Sequence, residues 1–274
     1  MLEKLQYINH MNEVLDFGKS KLFINTNDLH DYSWGVTTKN NRISGFKKGI
    51  ETKTMPIIMK VDSAKEGIEL RNKLFEVFEK DVLANRHGKI IIGDYYLKCF
   101  ITDSSKQDYL IHKGYMRLNV KLTTDFPYWV KETTTRFNYG EAKSKGNNLD
   151  YNRDFPHDYS TNLNVEKLNN TNFVASNFVM RIYGACDNPT VTVAGHDYAV
   201  NTSLQANEYL TIDSTNKTIV KTLATGQTEN CFNLRNKASY IFEQIPTGSL
   251  NVSSSANFKF DIVLLEERGE PKWA

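Results

Sequence analysis

The stretch Asn257-Phe-Lys-Phe-Asp-Ile-Val-Leu-Leu-Glu-Glu-Arg-Gly-Glu-Pro-Lys-Trp273 alternates apolar and polar residues and then breaks into a charged tail. Phe258, Phe260, Ile262 and Leu264 point one way and Lys259 and Asp261 the other, because successive side chains of a strand face opposite sides. The same period of two recurs at Met116, Leu118, Val120 and Leu122, which alternate with Arg117, Asn119, Lys121 and Thr123. Such alternation belongs to antiparallel strands that set one face on a core and the other in water. A mainly β protein is predicted. The closing Pro-Lys-Trp has no periodicity, and strand physics does not account for it.

At 274 residues the chain exceeds what one sandwich core needs, so two domains are expected. Hydrophobic residues make up 40% and charged residues 24%, a globular balance that argues against disorder. The net charge of +2 comes from 34 basic and 32 acidic groups, so no basic field is present to recruit nucleic acid or an anionic membrane. No segment nears the roughly 18 apolar residues of a membrane span, and the N-terminus lacks a signal-like pattern, so synthesis in the cytoplasm is expected. Cys99, Cys186 and Cys231 are odd in number and far apart, which suggests reduced, structural thiols rather than a disulfide framework or zinc site.

In the first half, Leu22–Ile24, Trp34–Thr38 and Thr52–Val61 are strand candidates, the last placed at an edge or bulge because Pro56 cannot donate to a ladder. Ser63-Ala-Lys-Glu66 is a capping box, and Ile68, Phe75, Phe78 and Val82 follow at helical spacing up to Arg86-His87-Gly88. That pattern predicts a helix whose apolar stripe is those four residues. Lys89–Ile92, Gly93-Asp94 and Tyr95–Ile101 then spell two strands joined by a two-residue turn. A loop is expected at Asp103–Lys106, followed by the strand through Leu122, which Pro127 ends in Asp125-Phe-Pro-Tyr-Trp129.

From Lys131 to about Ser160 the pattern dissolves into Thr, Asn, Gly and Lys, and a domain boundary is placed there, with domains at residues 1–136 and 137–274. Beyond it, seven short strands are read at Phe178–Tyr183, Thr190–Val193, Tyr198–Val200, Tyr209–Ile212, Lys217–Thr222, Tyr240–Ile245 and Phe258–Leu265. Turn residues separate them and no helical stretch intervenes, which predicts an antiparallel sandwich or jelly roll.

Catalytic chemistry is hard to find. Gly18-Lys19-Ser20 resembles the end of a phosphate-binding loop, but Glu13 stands where that loop needs its first glycine. The six histidines show no metal-ligand spacing, and His157-Asp158 and His196-Asp197 have no Gly-x-Ser-x-Gly elbow to serve. Trp34, Trp129 and Trp273 are candidate sugar platforms, though core filling is the commoner fate of a large aromatic. No enzyme activity and no cofactor or metal is expected.

Segments spread over nearly the whole chain carry a resemblance: Ile91-Ile-Gly-Asp-Tyr-Tyr-Leu-Lys-Cys-Phe100 and Thr124-Asp-Phe-Pro-Tyr-Trp129 in the first half; Asp154-Phe-Pro-His-Asp-Tyr159, Ile182-Tyr-Gly-Ala-Cys-Asp-Asn-Pro189 and Ser239-Tyr-Ile-Phe-Glu-Gln-Ile-Pro246 in the second; and the closing Glu266–Trp273. In order and spacing the chain resembles the distal tail proteins of long-tailed, siphovirus-type bacteriophages. The resemblance implies a structural protein at the virion tail tip, with an N-terminal ring-forming domain and a C-terminal galectin-like β-sandwich. It implies a hexameric ring that joins the major tail tube protein to a tail-associated baseplate protein. Under it, Ile91, Gly93, Asp94, Tyr95 and Tyr96 are candidate ring-interface residues, and Phe126, Pro127, Tyr128, Trp129 and Trp273 are structural aromatics of the family motifs. The alternative is a lectin-like module that binds host carbohydrate, with a glycoside hydrolase third.

Overall fold

The computed structural model describes residues 5–18, 21–24, 27–110, 114–138 and 166–272. Two compact units divide the chain, Met1–Lys131 with Glu267–Ala274, and Glu132–Glu266. As the alternation predicts, the protein is mainly β, and one α-helix occurs among the described residues. No helix among these residues is long and apolar enough to cross a membrane.

The first unit contains β1 (Leu5–Ile8), β2 (Val14–Phe17), β3 (Leu22–Ile24), β4 (Gly35–Lys39), β5 (Arg42–Lys47), β6 (Glu51–Lys60), α1 (Ala64–Ala84), β7 (Gly88–Ile92), β8 (Tyr95–Leu110), β9 (Tyr115–Thr124) and the start of β10 (Trp129–Asn138). Seven strands pair in the order β2-β1-β7-β8-β9-β6-β3, while β4 and β5 pair only with each other. The Gly18 N–H donates to Leu22 O at 2.8 Å, so the chain steps from one end of this sheet to the other. The sheet and α1 thus share one core, with Tyr7, Met55, Ile57, Ile90, Val120 and Trp129 wholly buried. Pro56 sits where the pairing with β3 has ended at Ile57, so β6 keeps β9 along its length without needing a donor there.

Two expectations change here. The loop at Asp103–Lys106 is instead a continuation of β8, which runs 16 residues and pairs with β9 through two register shifts. Its polar residues lie exposed, so a long strand with bulges and a loop look alike in sequence. Likewise Lys131–Asn138 is strand rather than linker. Residues 139–165, including Asp154–Tyr159, lie outside the described residues.

The helix begins as read. Ser63 Oγ accepts from the Glu66 N–H at 3.2 Å, but Glu66 returns its bond to the Asp62 N–H at 3.0 Å rather than to Ser63. It ends earlier than expected, at Asn85 in the left-handed region with φ 49°, and Gly88 already belongs to β7. The apolar stripe is also rotated. Leu74, Val77, Phe78 and Asp81 are buried, whereas Ile68, Phe75 and Val82 are 53%, 57% and 45% exposed. At 3.6 residues per turn the Phe75–Val82 line lies about 100° around the axis from the centre of the buried face, with Phe78 near the border between them. The Phe78 ring meets Tyr7 edge-on at 5.1 Å.

Asp81 is an acid wholly buried in this core. It accepts from the Tyr7 hydroxyl at 2.5 Å and the His10 N–H at 2.8 Å, and its Oδ1 lies 2.6 Å from His10 Nδ1. Burial, and then the Asp81 bond, push the Tyr7 hydroxyl far above its ordinary pKa, so it stays a donor. A Cβ at Gly88 would collide with both Asp81 Oδ2 and the Tyr7 hydroxyl, which is why glycine opens β7.

The second unit carries β11 (Glu166–Asn170), β12 (Asn177–Tyr183), β13 (Cys186–Asp187), β14 (Thr190–Val193), β15 (His196–Ala199), β16 (Ser203–Leu204), β17 (Tyr209–Asp213), β18 (Thr218–Thr222), β19 (Thr228–Asn230), β20 (Gly248–Ser254) and β21 (Lys259–Arg268). One sheet runs β19-β18-β17-β12-β21 and the other β11-β20-β14-β15. Phe178, Met180, Ile212 and Phe260 from the first meet Leu168, Val193, Tyr198 and Val252 from the second in a single core, the construction of a β-sandwich. Phe137 of β10 joins it, stacked on Phe260 at 4.8 Å. Tyr240–Ile245 is not a strand: Ile241 and Phe242 are both buried although adjacent, and Glu243 N–H closes a turn on Tyr240 O. β11 and β20 escape a reading by alternation because Ser and Asn outnumber their apolar residues.

Phe78→Ala is expected to cost about 3–5 kcal/mol, whereas Phe75→Ala, one turn away but exposed, should stay within about 0.5 kcal/mol. Urea midpoints of the two variants check the rotated face, and equal losses would refute it. Asp81→Ala leaves the Tyr7 and His10 donors without their acceptor and should cost about 3–5 kcal/mol in the same measurement.

Candidate functional site

The residues singled out from sequence fall in two places in the first unit. The first is the β7–β8 turn. Gly93, at φ +58°, and Asp94 make the two-residue connection and are exposed. Asp94 pairs with Lys131 at 2.7 Å, which holds its carboxyl below the usual range. Tyr95 points inward and is buried, Ile91 and Tyr96 are half-buried, and Lys89 lies 4.5 Å over the Tyr96 ring. The hairpin offers no open ladder along β7, since β1 pairs with it on one side and β8 on the other, and Val130 of β10 meets Tyr96. β1 supplies the cover, a partnership that no local pattern announces.

The second place is Asp125–Trp129. The Phe126 N–H donates to Thr124 Oγ1 at 3.1 Å and the Tyr128 N–H to Phe126 O at 2.8 Å, turning the chain between β9 and β10. Trp129 is wholly buried and fills the core, so it is no sugar platform. Pro127 is buried, and its carbonyl accepts from Lys48 Nζ at 3.1 Å. That ammonium also lies 5.2 Å from the Trp34 ring and 5.5 Å from Tyr128, with Glu51 at 3.5 Å. Tyr128 in turn packs on Phe126 at 5.1 Å and Trp34 at 6.2 Å. Burial, then Glu267 and Glu51, push the Tyr128 hydroxyl up. The closing tail returns to this place, since a Cβ at Gly269 would lie 3.6 Å from the Tyr32 ring and 3.7 Å from Lys48 Nζ. Two motifs 140 residues apart in sequence, by roughly that count, thus meet around one lysine. Trp273 lies outside the described residues.

Lys48 and Trp34 stand at the two feet of the β4–β5 hairpin. After it, Lys53 of β6 is buried and donates back to the segment before the hairpin, to Asp28 O at 3.2 Å and to Asp31 O. Burial pulls its pKa down, and the two carbonyls accept hydrogen bonds from its ammonium. The cluster is a clamp that fixes where this hairpin projects. Nothing in the local sequence marked Lys48, since its role arises from three segments distant along the chain.

The other candidate chemistry disperses. His196 Nε2 lies 2.9 Å from Tyr240 O, and Asp197 accepts from Thr192 Oγ1 at 2.6 Å, so the two are each engaged elsewhere. His157, Asp158, Lys19 and Ser20 lie outside the described residues. All three cysteines are free thiols; burial pushes Cys186 up to about 11 and raises Cys99 and Cys231 as well, which makes poor nucleophiles. Among the described residues no group of three His, Cys, Asp or Glu could hold a metal ion.

No family model matches the sequence, and no curated protein matches it. The fold does have solved counterparts. The crystal structure of the SPP1 Dit protein, described as a paradigm of the hub adsorption apparatus in phages infecting Gram-positive hosts, superposes with a TM-score of 0.59 at 10% identity, covering 98% of this chain and 100% of that one. A chain of the phage P2 baseplate in its activated conformation with Ca superposes at 0.64 with 12% identity, covering 99% and 100%. The same baseplate with Sr gives 0.65 at 12% identity and the same coverage. The chain has the fold of these tail hub and baseplate proteins from end to end.

Lys48→Met keeps the aliphatic stem and removes the charge. It should cost about 1–3 kcal/mol, the worth of a charged hydrogen bond with its ring contacts, and should speed amide exchange in the β4–β5 hairpin over that of the β8–β9 pair. An unchanged exchange rate would show that the clamp does not hold the hairpin.

Proposed function

We propose that this chain is a distal tail protein of a long-tailed phage or prophage, a structural part of the hub at the virion tail tip. The observation that carries the reading is the fold, which matches SPP1 Dit and the phage P2 baseplate chain over their whole lengths. The motif segments at Ile91–Phe100, Asp125–Trp129 and the closing tail support it independently, because their order and spacing belong to the sequence alone.

In this reading a ring-forming domain over residues 1–136 and a galectin-like sandwich over residues 137–274 correspond to the two units, save that residues 132–136 fall in the second unit and 267–274 in the first. Six copies form a ring that joins the major tail tube protein above to a tail-associated baseplate protein below. Its role is mechanical, with no reaction to catalyse. The exposed Gly93-Asp94 tip, with Ile91 and Tyr96 beside it and Tyr95 bracing it from the core, is assigned to the subunit contact. Head-to-tail contacts between identical subunits close into a ring when the rotation per subunit divides a full turn, and a tube cap requires closure. Each contact should bury at least about 1,000 Å².

The test is the mass and image of the full chain at micromolar concentration, alone and mixed with a major tail tube protein. Light scattering is expected to give six times the chain mass, and negative-stain images should show six-fold rings that persist in moderate salt. Monomer under both conditions would overturn the reading. Selective binding on a glycan array together with a monomeric mass would favour the lectin-like alternative.

A further inference from the structure

The β4–β5 hairpin has an unusual face. Val36 pairs with Phe46 and Thr38 with Ile43, with a register shift between Thr37 and Thr38. Two residues on β4 thus span the distance of three on β5, and this bulge brings Ile43 and Phe46 onto the face that Val36 occupies. Without it Ile43 and Phe46, three apart, would point to opposite sides. The Ser44 hydroxyl donates to Thr37 O at 3.1 Å, securing the irregular step. The aligned stripe is not buried: Val36, Ile43 and Phe46 are 51%, 63% and 62% exposed. A two-stranded hairpin is marginal by itself, and this one spends three large apolar side chains on water.

A second apolar surface lies on the same unit. The Phe75–Val82 side of α1 and Ile101 and Leu118 of the adjoining strands line an open groove of about 430 Å³. Charge on the two surfaces is complementary. The hairpin carries Lys39, Arg42 and Lys47 with no acid anywhere from Trp34 to Ile50, and among the described residues none of these three forms an ion pair. Asp103 on the groove wall is taken up by Lys121 at 2.8 Å, which leaves Glu79, with Glu76 exposed beside it on the helix, against one base, Arg71.

Resting on the ring reading above, we propose that the β4–β5 hairpin of one copy seats its Val36–Ile43–Phe46 face in the α1 groove of the next. The two surfaces differ and belong to one unit, the requirement for a heterologous, head-to-tail contact. Each copy then offers one knob and one groove. Bases on the hairpin meet Glu79 and its neighbours, which sets the direction of seating. The Lys48 clamp acquires a purpose, because it fixes the angle at which the knob leaves its own subunit.

The test uses the full chain under the conditions in which the wild type assembles, with mass photometry as the readout and circular dichroism as the check on folding. Phe46→Glu and Phe75→Glu alter exposed positions, so both should stay folded, and each alone should lose the oligomer and read as monomer. Mixed in equal amounts, they retain one intact knob and one intact groove between them. The mixture should therefore form dimers and nothing larger. Arg42→Glu should weaken assembly at least tenfold, and adding Glu79→Lys in the same chain should restore part of it. Folded variants that keep the wild-type mass would overturn this contact while leaving the ring standing; a wild type that never assembles would overturn both. A mixture that stays monomeric would also count against it.

Discussion

The first unit depends on a buried carboxylate. Asp81 projects from α1 into an otherwise apolar core and is met there by the Tyr7 hydroxyl, the His10 backbone and the His10 ring. A polar group taken out of water is tolerated only when its hydrogen bonds are satisfied, so β1 and the turn after it must sit where Tyr7 and His10 can reach. Because β1 is thereby placed, it covers the outer side of β7, which leaves β8 to continue into its long pairing with β9. Gly88 records the same constraint in the chain, since no side chain fits between the carboxylate and the phenol.

With the sheet and helix set in this way, the surface of the unit follows. The buried face of α1 is the one that carries Asp81, which turns Phe75 and Val82 outward beside the β8 strand. At the other place of interest, Lys48 gathers Pro127, Tyr128 and Trp34 and stations the β4–β5 hairpin. The two apolar surfaces of this unit lie on elements held by polar anchors, a buried acid for the helix and a boxed lysine for the hairpin. That arrangement separates what keeps the fold from what is left to bind.

The second unit is built more uniformly. Its core draws on alternating residues of both sheets, and its hydrogen-bonding side chains serve turns and strand ends, as with Asp213, which accepts from the Thr215 and Asn216 backbone at 2.9 Å. His196 and Asp197 illustrate why neighbours in sequence make poor evidence of a catalytic pair: on a strand they face opposite sides, and each finds a different partner.

Sequence alone determined the elements whose signal is local. The period of two settled β9 and β21, the Gly93-Asp94 turn settled the β7–β8 hairpin, and Ser63 settled the start of α1, because each depends on residues within a few positions of one another. Order and spacing of short motifs settled the resemblance to tail hub proteins, and the fold agrees with it. Tertiary structure decided which side of α1 is buried, since Phe75 and Phe78 are equally apolar and it is the face with Leu74, Val77 and Asp81 that meets the core. It turned an apparent loop at Asp103–Lys106 into strand, because a ladder is supplied by the partner β9 and not by the polar residues themselves. It also brought the closing tail to Lys48 and Tyr128, a meeting of segments too far apart in the chain for any periodicity to reach.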